Sequence, residues 1–174
     1  PGGRERGKQI RMSDSLLESF DSNEFLKDLV SVAREHHGTQ GDGNHFSYVG
    51  RIKSTGETAL VTHHGSRAPG AKLYGKGMKL AEATRRRVSP ETLGSNAWIE
   101  ADTREGEAYF EALQILRRWT KSSHYAIHDL ALSVLGVAAG DRWWNEHNFV
   151  FRKPNGQFYH AKGATPSFAG FSPD

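Results

Sequence analysis

HFSYVGRIKSTGETALVTHH, residues 45–64, is the stretch whose reading decides the fold. HFSYVGRIK and TALVTHH are short runs with alternating or β-branched content, and STGE between them supplies a glycine for the turn. The pattern predicts a β-hairpin. A turn centred on Thr55-Gly56 leaves His45 and His63 only two or three ladder positions out of register. Their imidazoles are therefore expected as neighbours at the open end of the hairpin, although sequence distance keeps them apart.

On the N-terminal side lies GTQGDGNHF, residues 38–46, with Gly38, Gly41 and Gly43 inside six positions. So many glycines imply positive φ angles, or a backbone so close to something that no Cβ fits. Before this loop, SNEFLKDLVSVAREHHG places Phe25, Leu26, Leu29, Val30 and Ala33 at helical spacing, with Ser22 as the expected cap and Gly38 as the stop. Residues 1–14 read as a flexible basic arm carrying Arg4, Arg6, Lys8 and Arg11, and residues 15–174 as the folded segment.

On the C-terminal side, Gly70 to Arg87 predicts a helix weakened by Gly75 and Gly77, whose terminal arginines suit the macrodipole. Residues 88–104 read as a connecting loop that begins at Ser89-Pro90. From Glu105 to about Leu135, apolar residues including Tyr109, Phe110, Leu113, Leu116, Trp119, Ile127 and Leu130 recur at mostly helical spacing. One long helix, or two with a break near Ser122-Ser123, accounts for them. HNFVFR, the turn signal Pro154-Asn155-Gly156 and QFYHAKGAT predict a second hairpin. Helix, hairpin, helix, helix, hairpin is the order of an α+β fold with antiparallel pairing.

A chain of 174 residues is long enough for one domain with its own core. It has no cysteine, which excludes disulfides, thiolate metal sites and a cysteine nucleophile, and leaves His, Asp and Glu as the strong metal ligands. Net charge is +3, from 23 basic against 20 acidic side chains, too small to name a partner. Arg85 to Arg87, and Arg117, Arg118 and Lys121, are clusters that fit either solvated helix faces or a phosphate-rich partner. No run approaches the roughly 18 apolar residues of a membrane span, and PGGRERGKQIRMSDS has no apolar signal-peptide core. A soluble, cytoplasmic protein with no membrane partner is the expectation.

The nine histidines divide by context. His147, in WNEHNFV, joins His45 and His63 as a third histidine at a strand end, again beside Asn and Phe. Three such imidazoles form a candidate facial nitrogen site for a metal. Strand alternation lets only one of His63 and His64 face that site, so His64 is the alternative to His63. His36, His37, His124, His128 and His160 read as structural. HGSRAPG, residues 64–70, sets Ser66 and Arg67 between glycines ahead of a helix, where backbone N–H groups, a hydroxyl and a guanidinium converge on an anion. AKGAT, residues 161–165, adds a second glycine-bordered cation, Lys162. Metal-binding histidines beside phosphate-binding loops point to phosphate chemistry.

In this order the motifs resemble the RtcB family of RNA-splicing ligases. GTQGDGNHF is similar to that family's GNHF motif, THHGSRAPG to HSGSRG, EHNFV to HHNYV and AKGAT to RKGA, over about Asn23 to Ser167. The resemblance implies a manganese-dependent, GTP-using enzyme that joins RNA ending in a 3′-phosphate or 2′,3′-cyclic phosphate to RNA with a 5′-hydroxyl. A histidine first takes the guanylyl group, which passes to the RNA 3′-phosphate before the 5′-hydroxyl displaces GMP. Carried over by motif, His45, His63 and His147 hold manganese. Asn44, His147 and Asn148 approach the nucleotide phosphate, and Arg67, Ser66 and Lys162 contact RNA or phosphate.

Three positions depart from the pattern: His64 stands where the family has Ser, Ala68 where it has Gly, and Ala161 where it has Arg. This implies a divergent branch. The family's upstream Asp and Cys ligands and its downstream guanylylated histidine have no counterpart in the sequence, so the chain is expected to be the central segment of the ligase, inactive alone and reliant on the missing segments as partners. A non-catalytic RNA-binding or assembly module, and a metal-dependent phosphodiesterase, are the rival expectations.

Overall fold

The computed structural model describes residues 10–165 and divides into two compact units, Pro1–Leu135 and Gly136–Asp174. The first unit runs through α1 (Asp14–Ser22), a 3-10 turn (Lys27–Leu29) leading into α2 (Val30–His36), and strands β1 (Phe46–Arg51) and β2 (Thr58–His63). It continues with α3 (Arg67–Val88), a second 3-10 turn (Gly94–Asn96) and α4 (Arg104–Leu135). The second unit holds β3 (Phe149–Arg152) and β4 (Phe158–Ala161). Four helices with two separate antiparallel hairpins make the chain α+β, as its element order predicts. No described helix is long and apolar enough to cross a membrane.

The core of the first unit is built by residues that recur every three or four positions. Leu16 and Phe20 of α1, Leu29 and Ala33 around α2, Leu73 of α3, and Ala112, Ile115, Leu116 and Trp119 of α4 are buried together. Phe20 and Trp119 are wholly enclosed. Two expectations change. Residues 1–9 of the predicted arm lie outside the described residues, but Met12 is buried in the core and the Ser13 hydroxyl accepts the Leu16 N–H at 3.3 Å, capping α1. Order therefore begins before residue 15, because Met12, Leu16 and Phe20 repeat at four-residue spacing. Ser22 is the last residue of α1 rather than the cap of the next helix. Asn23 makes the corner instead, accepting the Phe25 N–H on Oδ1 at 3.0 Å and donating to the Ala108 carbonyl of α4 at 3.0 Å.

Helix α4 is a single 32-residue helix without the break allowed at Ser122-Ser123. A serine inside a helix costs only a few tenths of a kcal/mol to about 0.7 kcal/mol, and both hydroxyls have partners: Ser123 Oγ accepts the Gly38 N–H, and Ser122 Oγ bonds His37 Nε2, each at 3.0 Å. Helix α3 begins at Arg67, one turn before the expected start. Its Gly77 is explained by packing, since a Cβ there would collide with the Tyr109 ring of α4, whose hydroxyl donates to the Leu73 carbonyl at 3.4 Å.

The first hairpin pairs Phe46 with His63 and Arg51 with Thr58. His45 thus stands one position outside the ladder, closer than the two or three positions expected. The loop explains the shift: Ile52 N–H donates to Glu57 O at 2.8 Å and Gly56 N–H to Ile52 O at 2.7 Å, so the turn is tighter and centred earlier than Thr55-Gly56. The second hairpin pairs Phe149 with Ala161 and Arg152 with Phe158, and closes through Lys153 and Gln157 as its Pro-Asn-Gly signal predicts.

Candidate metal and phosphate site

In the first unit the glycine loop folds against the loop that precedes α3, and His45 is one of the contacts between them. Its Nε2 accepts the Gly65 N–H at 3.1 Å, and its Nδ1 lies 3.5 Å from Arg67 Nη1. The ring centroid of His45 is 6.4 Å from that of His63 and 6.1 Å from that of His64. The hairpin has brought together the histidines that the register argument paired. His63 in turn stacks on its ladder partner Phe46, at 5.5 Å with 17° between planes. Arg67 reaches back through Nε to Thr39 Oγ1 at 3.4 Å, from a backbone held at φ +52°. Asn44 is exposed on the loop, while half-buried Ser66 precedes α3 with its carbonyl accepting the Gly70 N–H at 3.1 Å.

Gly41 shows why the loop needs glycine. Its φ is +91°, and a Cβ added there would run into the Arg67 guanidinium and the His45 ring. The missing side chain is the room in which Arg67 and His45 meet. Gly41→Ala is expected to cost about 1–2 kcal/mol for the left-handed backbone and to displace Arg67. The motif's expectation of an Arg67 phosphate contact then predicts that phosphate affinity falls in Gly41→Ala by about as much as in Arg67→Ala; a Gly41→Ala chain that binds as before would count against that expectation.

Helix α4 holds the other side of strand β2 through two histidines four residues apart. His124 Nε2 donates to the His64 carbonyl at 3.0 Å, and His128 Nε2 bonds Thr62 Oγ1 at 2.8 Å. Four helical residues rise about 6 Å and two strand residues about 6.8 Å, so this spacing reads alternate positions of a strand. From sequence both histidines read as structural; their four-residue spacing on α4 is the signal that points to a shared role beside the site. His64 is also more central than expected. It is buried, its ring meets His124 edge-on at 4.9 Å, and its Nδ1 bonds the Gln40 carbonyl at 3.1 Å.

Burial sets the electrostatics of this cluster. It holds His45 below the ordinary imidazole range, helped by the Arg67 guanidinium and by His63. It likewise lowers His64, against the opposing hydrogen bond to Gln40, and pushes His124 down to about 4. Neutral imidazoles are the form that binds metals. Among the described residues, no three His, Asp or Glu side chains stand as a ready metal cluster. The donors themselves fit a divalent ion of intermediate softness. A carbonyl can only accept, so His64 Nδ1 carries the proton, and its buried Nε2 is a lone pair with no hydrogen-bond partner.

In the second unit Asn148 ties the start of β3 to the loop after β4. Its backbone, at φ +56°, donates to Ala161 O at 2.9 Å, and its Oδ1 accepts the Gly163 N–H. That bond fixes the amide orientation, leaving Nδ2 to donate to His147 Nδ1 at 2.8 Å. His147 and Asn148 are therefore one hydrogen-bonded pair, and Thr165 Oγ1 adds a bond to Glu146 O at 2.8 Å. Lys162, next to Gly163 in the chain, is exposed. The AKGAT and EHNFV motifs, separate in sequence, form one local structure.

The motifs thus fall into two local assemblies: GNHF beside THHGSR in one unit, and EHNFV beside AKGAT in the other. Comparison with curated proteins and with solved structures finds no match in either. Comparison with protein families matches residues 4–171 to one described as tRNA-splicing ligase RtcB, over nearly all of the chain. With that span and both motif pairs assembled, the chain belongs to the RtcB family of tRNA-splicing ligases.

Proposed function

We propose that this chain contributes metal- and phosphate-binding residues to the active site of an RNA ligase that joins a 3′-phosphate or 2′,3′-cyclic phosphate end to a 5′-hydroxyl end, with GTP and manganese. The observation that carries the reading is the contact of His45 with Gly65 N–H and Arg67, which joins a metal-type imidazole to a phosphate-type loop. His45, His63 and His147 would hold the metal. When bound, a divalent ion supplies charge neutralisation to the reacting phosphates and orients attack. Arg67, Ser66 and Lys162 would bind RNA or phosphate oxygens, and Asn44, His147 and Asn148 the nucleotide phosphate. The guanidinium offers paired N–H donors to an anion. The Arg67 contact with His45 would open in favour of that anion.

No motif-matched residue of this chain takes the role of the guanylylated histidine. Incubated with GTP and manganese, these 174 residues are expected to gain no covalent GMP, as mass spectrometry reads it. A GMP-sized addition to this chain by itself would show that one of its own histidines is the nucleophile and overturn this assignment of roles. RNA binding by the chain should be electrostatic: with about three to five phosphates neutralised, log K should fall steeply with log salt. Equal binding after Arg67→Ala combined with Lys162→Ala would remove these residues from the RNA surface.

A further inference from the structure

The lone pair on His64 Nε2 serves neither the fold nor the proposed ligase site. Its residue is 8 % exposed and no donor reaches it. A buried acceptor left unmade is costly, and such groups in folded proteins usually mark a water or an ion. The ring is also pre-oriented in the manner of a metal ligand, because the Gln40 carbonyl holds the proton on Nδ1 and the His124 ring packs edge-on against it. In a tetrahedral site with nitrogens about 2.1 Å from the ion, ring centroids stand roughly 5–5.5 Å apart. His45 lies 6.4 Å from His63 and 6.1 Å from His64, within about 1 Å of that spacing.

We propose that His64, which lies one residue past the end of β2 and so outside the strand alternation that separates it from His63, is an additional metal ligand beside His45 and His63, making this a nitrogen-rich site that prefers ions such as zinc or cobalt(II) over manganese. The inference rests on the reading of His45 and His63 as metal ligands. His64 stands where the resembling family has Ser, so the added nitrogen belongs to this chain's own departure from the pattern. A third imidazole strengthens binding most for the ions with the higher nitrogen affinity, and least for manganese, which lies lowest in that order. Convergence on one ion requires His45 to give up the Gly65 N–H and turn its ring.

The test is titration of the 174-residue chain with Co2+, followed by its visible absorption, and with Mn2+, followed by electron paramagnetic resonance. His64→Ser and His64→Asn are compared with His45→Ala. The Asn variant retains a donor for the Gln40 carbonyl and lacks the Nε2 ligand, so it guards against loss of fold. Both His64 variants are expected to weaken Co2+ by at least about tenfold and to change its spectrum, while moving Mn2+ by less than about threefold. His45→Ala should weaken both ions. Unchanged Co2+ affinity and spectrum in both His64 variants, with His45→Ala still impaired, would overturn the proposal and leave the metal site standing without His64. Unchanged affinity in all three variants would overturn the metal reading itself. In the unmodified chain, zinc should shift the nitrogen resonance of His64 Nε2 in NMR spectra; an unmoved resonance at saturating zinc would sink the proposal independently of any variant.

Discussion

Trp119→Ala is expected to destabilise the first unit by about 3–5 kcal/mol, the cost of emptying a fully enclosed aromatic site. In a chain of this size each kcal/mol moves the melting temperature by about 2–4 °C, so a fall of roughly 6–20 °C should be visible by circular dichroism. The loss should reach the candidate site. Trp119 meets the His37 ring edge-on at 6.0 Å, and the same stretch of α4 supplies the hydroxyls that bond His37 and the Gly38 N–H. Those contacts anchor the start of the loop that carries His45. Amide exchange at Gly38 should accelerate in the variant more than at Gly56, which lies in the distant hairpin turn. Trp119→Phe provides the contrast. The buried indole N–H has no acceptor, so phenylalanine keeps most of the apolar contact and removes an unmet donor. It should cost under about 1.5 kcal/mol; equal losses for Ala and Phe would show that volume at this site is not what stabilises the fold.

Acidification should destabilise the same unit, by about 2–3 kcal/mol through His124 alone when pH falls from about 7 to 4.5. The His124 imidazole is pushed down from 6.5 to about 4, first by burial and then by the neighbouring His64, His128 and His63, with the His64 carbonyl opposing. The folded value lies below the unfolded one, so between about 6.5 and 4 the unfolded chain takes up a proton that the folded chain resists. Stability is therefore complete above about pH 6.5 and is lost as pH drops toward 4. His37, His45 and His64 are lowered in the same direction, each first by burial, and deepen the loss. Urea midpoints across this window measure the effect, and His124→Gln should flatten the slope. An unchanged slope in that variant would assign the acid sensitivity elsewhere.

The amino-acid sequence by itself determined the elements with strong local signals. The glycine turn at Gly56 and the Pro154-Asn155-Gly156 turn each closed a hairpin, and the apolar period from Tyr109 onward made α4, because turn chemistry and helical spacing act over a few residues. Local patterning was also enough to pair His45 with His63, since an antiparallel ladder converts sequence positions into neighbours. It missed α1, where a stripe of Met12, Leu16 and Phe20 is diluted by serines and acids. It placed the first register one or two positions too wide, because backbone hydrogen bonds between Ile52, Gly56 and Glu57 chose the turn centre.

Tertiary structure decided the rest, where the partners are far apart in the chain. Nothing near Ser122-Ser123 says whether a helix continues; the groups it meets at His37 and Gly38 do. Nothing near His64 says that it lies buried between His45 and His124, because that depends on α4 packing across β2. The sequence supplied the imidazoles, the guanidinium and the glycine that makes room for both. Only packing over long separations could set Arg67 against His45, hold the His64 proton on Nδ1, and leave a bare nitrogen inside the fold.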